Sequence, residues 1–452
     1  MIRLRFPCEQ RRGLVLRLSL VLTLFALQGQ KLISQEPVVA RIEMKLMLDK
    51  EVLDVIEKGD LLTVLSEREK SYVIQTFNGQ KGAVAKGNAV PLAEAVPIYD
   101  ELIEDTPEAG RLYTLRASAH WAVGDAEKAL ADYSAAIDQG YDEAHAFSSR
   151  GLFLAAMGKH EAAIADYSKA IEKDPEEEIA LINRASVYMT IGDYAKAVED
   201  YTAAAVIRPE NPVLYSQRAV AHKLLGKLDL ALEDYDKTLE LAEKDIAAHM
   251  GRGFIHFQLG KHKEAIDDFS KAIELSPESA VALNNRGFNH QALGQYKKAL
   301  ADFTKAVDLA PQYILALQNK GWLLAICEDE SLRDPIAAIE TAESLCELSN
   351  YQEPSNLTLL AAAHAAAEDF ESAIGWQEKV LELATEQQKT VSEKILALYQ
   401  DKQPLDPKLL DTESNEEQDA RAESDTDTAK EDENADKPDE SSETTSSESE
   451  VN

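Results

Sequence analysis

Arg116, Arg150, Arg184, Arg218, Arg252 and Arg286 stand 34 residues apart, and each is followed 16 residues later by Asp132, Asp166, Asp200, Asp234, Asp268 or Asp302. A guanidinium and a carboxylate at a fixed offset support two chemistries: a ladder of cations for an anionic partner, or an ion pair repeated between neighbouring elements. The structural ion-pair ladder is the favoured reading, because every one of these arginines has an aspartate 16 residues later. At the seventh position lysine, Lys320, replaces arginine and the aspartate is missing as well, which favours pairing within each repeat.

His120, His222, His256, His290 and His364 occupy a further column, which holds Tyr188 in one repeat. A histidine that alternates with tyrosine reads as a packed, singly hydrogen-bonded ring. Equivalent histidines of adjacent helix pairs lie about 10 Å apart, too far to share a metal at about 2 Å. No Gly-Xaa-Ser-Xaa-Gly elbow, phosphate loop or HExxH helix occurs, and paired acids such as Asp267-Asp268 lack a pocket. The expectation is therefore no enzyme, no metal and no cofactor. Of the three cysteines, Cys8 precedes an apolar run, and Cys327 and Cys346 are expected to remain unpaired, about 15 Å apart along antiparallel helices.

The elements that must carry these columns repeat with the same period. Gly124, Gly158, Gly192, Gly226, Gly260 and Gly294 mark turns. Ala129, Ala163, Ala197, Ala231, Ala265 and Ala299 allow close helix approach, and Tyr133, Tyr167, Tyr201, Tyr235, Phe269 and Phe303 fill the space between pairs. Pro175, Pro209, Pro277 and Pro311 close four repeats. This pattern resembles the tetratricopeptide repeat (TPR) family. A pair of helices cannot bury both faces alone, so the expected fold is mainly α, a right-handed α-solenoid of tetratricopeptide helix pairs over residues 110–385 in about eight repeats. Ala95, Tyr99 and Pro107 predict a lone starting helix over 93–107. The seventh repeat has its second helix opening about five residues late at Ala338-Ile339, the eighth starts its first helix at Leu359, and 386–402 caps the end.

Residues 38–92 change period, with short β-rich runs broken by Gly59-Asp60, Asn78-Gly79 and Gly87-Asn88. Lys58-Gly59-Asp60-Leu61-Leu62-Thr63-Val64-Leu65 with Asn78-Gly79-Gln80-Lys81-Gly82 resembles the bacterial Src-homology-3-like domains of exported proteins, a small all-β barrel. Ala83 stands where that family usually has tryptophan, which argues against a proline-peptide groove of stacked rings. Residues 1–30, with Arg3, Arg5, Arg11, Arg12 and Arg17 ahead of an apolar run from Leu18 to Leu27, read as a signal peptide or, uncleaved, an anchor over 14–27. Residues 403–452 read as a disordered acidic tail, rich in Asp, Glu, Ser and Thr.

The net charge of −34 runs from +5 over residues 1–31 to −14 over 411–452. A surface this acidic repels phosphate, so no nucleic-acid partner is expected. The tetratricopeptide resemblance implies that the first helix of each repeat lines a concave face. Met250, Phe254, Phe257, Asn284, Phe288, Gln291, Gln318 and Trp322 would then form a partner-binding groove for a protein or peptide, the alternative being that these rings only pack between repeats. The resulting expectation is an exported scaffold in the periplasm or cell envelope, or alternatively an envelope-attached assembly factor or chaperone that holds clients transiently. Membrane contact is expected only through an uncleaved amino-terminal segment.

Overall fold

In a computed structural model the described residues are 36–48, 51–141, 143–406 and 409. The expected signal or anchor, nearly all of the acidic tail, and Cys8 lie outside them. The chain divides into two compact bodies, one ending at Ala248 and the other starting at His249.

The amino-terminal body begins with strands β1 (Val38–Ala40), β2 (Met44–Leu48), β3 (Glu51–Ile56), β4 (Leu61–Glu67), β5 (Ser71–Gln75), β6 (Lys81–Ala85) and β7 (Ala89–Pro91). Five form an antiparallel sheet in the order β6-β5-β4-β1-β7, and β2 pairs with β3 as a hairpin. This half-barrel closes over Val38, Leu46, Ile56, Leu62, Ile74 and Val84. The Asn78-Gly79 turn is wider than a two-residue hairpin loop. Residues 76–80 connect the strands, because Asp54 draws in the Thr76 hydroxyl at 2.5 Å and the Asn78 amide at 2.9 Å.

The opposite edge of the sheet is cemented to helices. Val39 and Leu61 share a cluster with Leu92, Ala95, Tyr99, Leu115 and Ala119. Gly59 has φ +87°, and a Cβ there would lie 2.5 Å from Leu102, so only glycine permits this approach. Lys58–Glu101 and Arg111–Asp60 ion pairs flank the seam.

Helices follow in order: α1 (Val96–Asp105), α2 (Gly110–Ala122), α3 (Ala126–Asp138), α4 (Glu143–Ala156), α5 (His160–Lys173), α6 (Glu178–Ile191), α7 (Tyr194–Ile207), α8 (Pro212–Leu224), α9 (Leu228–Leu241) and α10 (Ile246–Gln258). The carboxy-terminal body continues with α11 (His262–Leu275), α12 (Ala280–Ala292), α13 (Tyr296–Leu309), α14 (Ile314–Ile326), α15 (Pro335–Leu348), α16 (Pro354–Ala366), α17 (Phe370–Leu383) and α18 (Glu386–Gln400). The lone starting helix begins at Val96, three residues later than expected, since Pro97 suits its first turn. The first helix of the eighth repeat starts five residues before Leu359, again on a proline, Pro354.

The first helices end in the same way in every repeat but the seventh, where Cys327 leaves α14 in an extended conformation. The amide after the turn residue bonds the carbonyl five residues earlier, as in Asp125 to His120 and Lys261 to His256. The turn residue itself is a glycine with φ between +68° and +84° in six repeats, but in the eighth it is Glu368 at φ +63°. A side chain in this left-handed region is strained, so Glu368→Gly should raise the unfolding free energy by about 1 kcal/mol. Urea titration of the purified chain reads that gain.

Candidate functional site: the arginine ladder and the first-helix face

The ladder residues lie where two helices of one repeat meet. Arg150 donates from Nε to Asp166 at 2.7 Å and from Nη2 at 2.8 Å, and Arg184 does the same to Asp200 at 2.8 and 2.7 Å. The same bidentate pair joins Arg116 to Asp132, Arg218 to Asp234, Arg252 to Asp268 and Arg286 to Asp302. The aspartates are buried, and the carboxylate bonds raise the pKa of Arg116, Arg150, Arg184, Arg218 and Arg286 above the ordinary value.

Sequence reasoning missed the other half of the ladder. Nη1 crosses to the second helix that precedes it at four of these positions: Arg116 to Asp100 at 2.7 Å, Arg150 to Ser134 at 3.0 Å, Arg184 to Ser168 at 2.8 Å and Arg218 to Thr202 at 3.0 Å. Arg286 reaches Ser270 at 3.2 Å. Pairing is therefore both within and across repeats, a correction to the reading taken from Lys320. The signal was present, since Asp100, Ser134, Ser168, Thr202, Asp236, Ser270 and Thr304 also keep the 34-residue interval. At Arg116, Arg150, Arg184, Arg218 and Arg286 the guanidinium donors are thus engaged on both sides, which leaves them little capacity for an anionic ligand.

The histidine column backs onto the same carboxylates, with His120, His222 and His256 each 3.8 Å from its aspartate. Among the described residues no group of three or more His, Cys, Asp or Glu is placed to hold a metal. Burial lowers the pKa of His222, His256 and His290, and lowers that of His145 to about 3. A neutral buried imidazole that protonates on unfolding makes stability full above pH 6.5 and falling as pH drops. His145 alone should remove about 2 kcal/mol between pH 6.5 and pH 5. Urea midpoints at the two pH values measure the loss, and His145→Gln should flatten it.

The eight groove residues separate into two groups. Phe254, Phe257 and Phe288 form one aromatic patch, with Phe257 6.0 Å from Phe254 and 5.4 Å edge-on to Phe288 between ring centroids. Phe254 and Phe288 are 39% and 41% exposed, and Met250 and Gln291 are half-buried on the same helices. The Gln291 carbonyl oxygen is buried with no partner.

Trp322 does not belong to this patch. It packs into two core clusters that contain Leu324 and Leu359 on one side and Ala362 and Tyr399 on the other. The eighth repeat and α18 bring apolar side chains over it, and the bulkiest apolar ring fills the space. Asn284 is buried and accepts from Asn319 at 2.9 Å, while Gln318 donates to Asn356 at 3.0 Å, so these amides satisfy one another.

Charge is sorted between the two helices of each repeat. From α10 onward no first helix contains Asp or Glu, whereas their partners carry Glu264, Asp267, Asp268 and Glu274 on α11 and Glu340, Glu343 and Glu347 on α15. Most exposed large side chains of these first helices are apolar instead, namely Ile246, Phe254, Val281, Phe288, Ile314 and Leu315, with Gln258 and Ser355 as uncharged polar exceptions.

Two models of the tetratricopeptide repeat match the chain, one at residues 92–148, 114–177 and 149–212 and the other at 245–312. The chain carries tetratricopeptide repeats. This family is an interaction scaffold, typically without catalysis of its own. Similar solved structures include YrrB, described as a TPR protein with an unusual peptide-binding site, at 28% identity over 42% of this chain and 97% of that one, with a TM-score of 0.38. A TPR protein from Parabacteroides merdae has 21% identity over 67% of this chain and 98% of its own, with a TM-score of 0.38. The carboxy-terminal part of a TPR protein from Cytophaga hutchinsonii has 18% identity over 50% and 94%, with a TM-score of 0.45. No curated protein matches the sequence.

Proposed function

We propose that this TPR protein is an exported scaffold that holds a protein partner on the first-helix face of its carboxy-terminal body. The observation that carries the reading is the exposed Phe254–Phe257–Phe288 patch on helices without a single carboxylate, in a chain of net charge −34. Solvated helix faces of such a chain are expected to carry acids. Exposed aromatic and aliphatic side chains in their place mark a surface that is covered in use. The unpartnered Gln291 oxygen adds an acceptor that a peptide N–H would satisfy. An extended segment or amphipathic helix with apolar anchors fits this chemistry.

Export rests on the basic and apolar order of residues 1–30, and the half-barrel over 38–92 is read as a Src-homology-3-like module that begins the repeat stack. Affinity purification from the cell envelope tests the whole reading. One stable complex is the expected result. Many weakly held unfolded clients would favour the transient chaperone, and turnover by the purified protein would overturn both.

A further inference from the structure

The carboxy-terminal body contains a second recess, away from the aromatic patch. After α18 the chain turns at Lys402, which has φ +55°, and Pro404 and Leu405 lie back over the ends of the first helices α14 and α16. Between this strap and the helices is a cleft of about 520 Å³. Its walls are Ile326, Ala362, Ala366, Phe370, Pro404 and Leu405, and its polar side chains are Arg333, Glu368 and Lys402.

Alanines make the cleft. Ala362 and Ala366 stand one helical turn apart on α16, so the space above them is left open where larger side chains would close it. The cations are held differently. Arg333 is fixed by its Nε bond to the Cys327 carbonyl at 2.7 Å, and its Nη1 reaches the exposed Glu330 at 3.4 Å. Lys402 is exposed and forms no ion pair among the described residues. The recess thus combines an aliphatic lining with two cations and one acid.

We propose that this cleft binds an aliphatic carboxylate, a fatty-acid-like chain whose tail lies on the alanine floor and whose carboxylate meets Lys402 and Arg333. A peptide is the less suitable occupant. No Asn, Gln, Ser, Thr or Tyr lines the cleft, so over the alanine floor a peptide backbone would find no side-chain partner and would depend on the three charged groups at the rim, whereas an alkyl chain needs none. With Arg333 already engaged by Glu330, the ammonium of Lys402 is the group at the rim that complements one negative charge.

Isothermal titration of the full chain with sodium decanoate, decanol and acetyl-Leu-Leu tests the proposal. Decanoate should bind at least about tenfold more tightly than decanol, and Lys402→Ala should weaken it by about tenfold. Glu368→Gln should tighten it by removing the opposing charge. Ala366→Phe should abolish binding by filling the space, and the Lys402 and Glu368 variants keep the test valid if that protein fails to fold. Absent decanoate binding, equal binding of decanol, tighter binding of the peptide, or indifference to Lys402→Ala would each overturn it.

Discussion

Asp200→Ala should destabilise the protein by about 3 kcal/mol, because it leaves Arg184, half-buried between helices, with its two carboxylate bonds gone. Asp200 is 5% exposed, so water cannot readily replace its carboxylate. Replacing both partners is a different experiment. The eighth repeat already does so, with Leu360 and Trp376 at the ladder positions, both packed in one cluster with Leu357 and Val380. Arg184→Leu combined with Asp200→Leu should therefore recover most of the stability lost by the single change. Urea unfolding of the single and double variants gives both values. A single-variant loss below about 1 kcal/mol would show that the pair is a solvated surface contact.

The period, the turn glycines and the ladder were legible because each is enforced by geometry that recurs identically in every repeat. Ala129 and its equivalents are fully buried where helices touch, and Tyr167, Tyr201, Phe269 and Phe303 are almost completely enclosed. The hydroxyl column was less legible for a chemical reason. Asp100, Ser134 and Thr202 differ in charge and shape, yet each supplies the one oxygen that the arginine Nη1 needs. Trp322 was misplaced for a different reason. A column position fixes which face a residue occupies, but not whether later chain covers that face. Here α18 and Leu405 close over it. The seventh ladder position depends on the same kind of context. Inserted residues around Glu330–Leu332 shift the register, so the buried Thr341 falls where earlier repeats place aspartate. Cys327 and Cys346 are both buried free thiols, and burial raises the pKa of Cys346 to about 12, which leaves it unreactive at neutral pH.

Phe254→Asp combined with Phe288→Asp should weaken partner binding by at least about 100-fold, since aromatic anchors at the centre of a contact contribute most of its energy. The cost to folding should remain small, because both rings are substantially exposed. Thermal melts beside binding assays separate the two effects. If the rings only packed between repeats, each would instead cost about 3 to 5 kcal/mol on truncation to alanine.

The most direct measurement places a photo-crosslinking phenylalanine analogue at Phe288 and, as a control, at Val206, which is 79% exposed on the second helix α7. Irradiation of intact cells should give one discrete protein adduct from position 288 and none from position 206. The same adduct from both positions, or none from position 288 while the protein remains folded, would contradict a partner-binding role for the first-helix face.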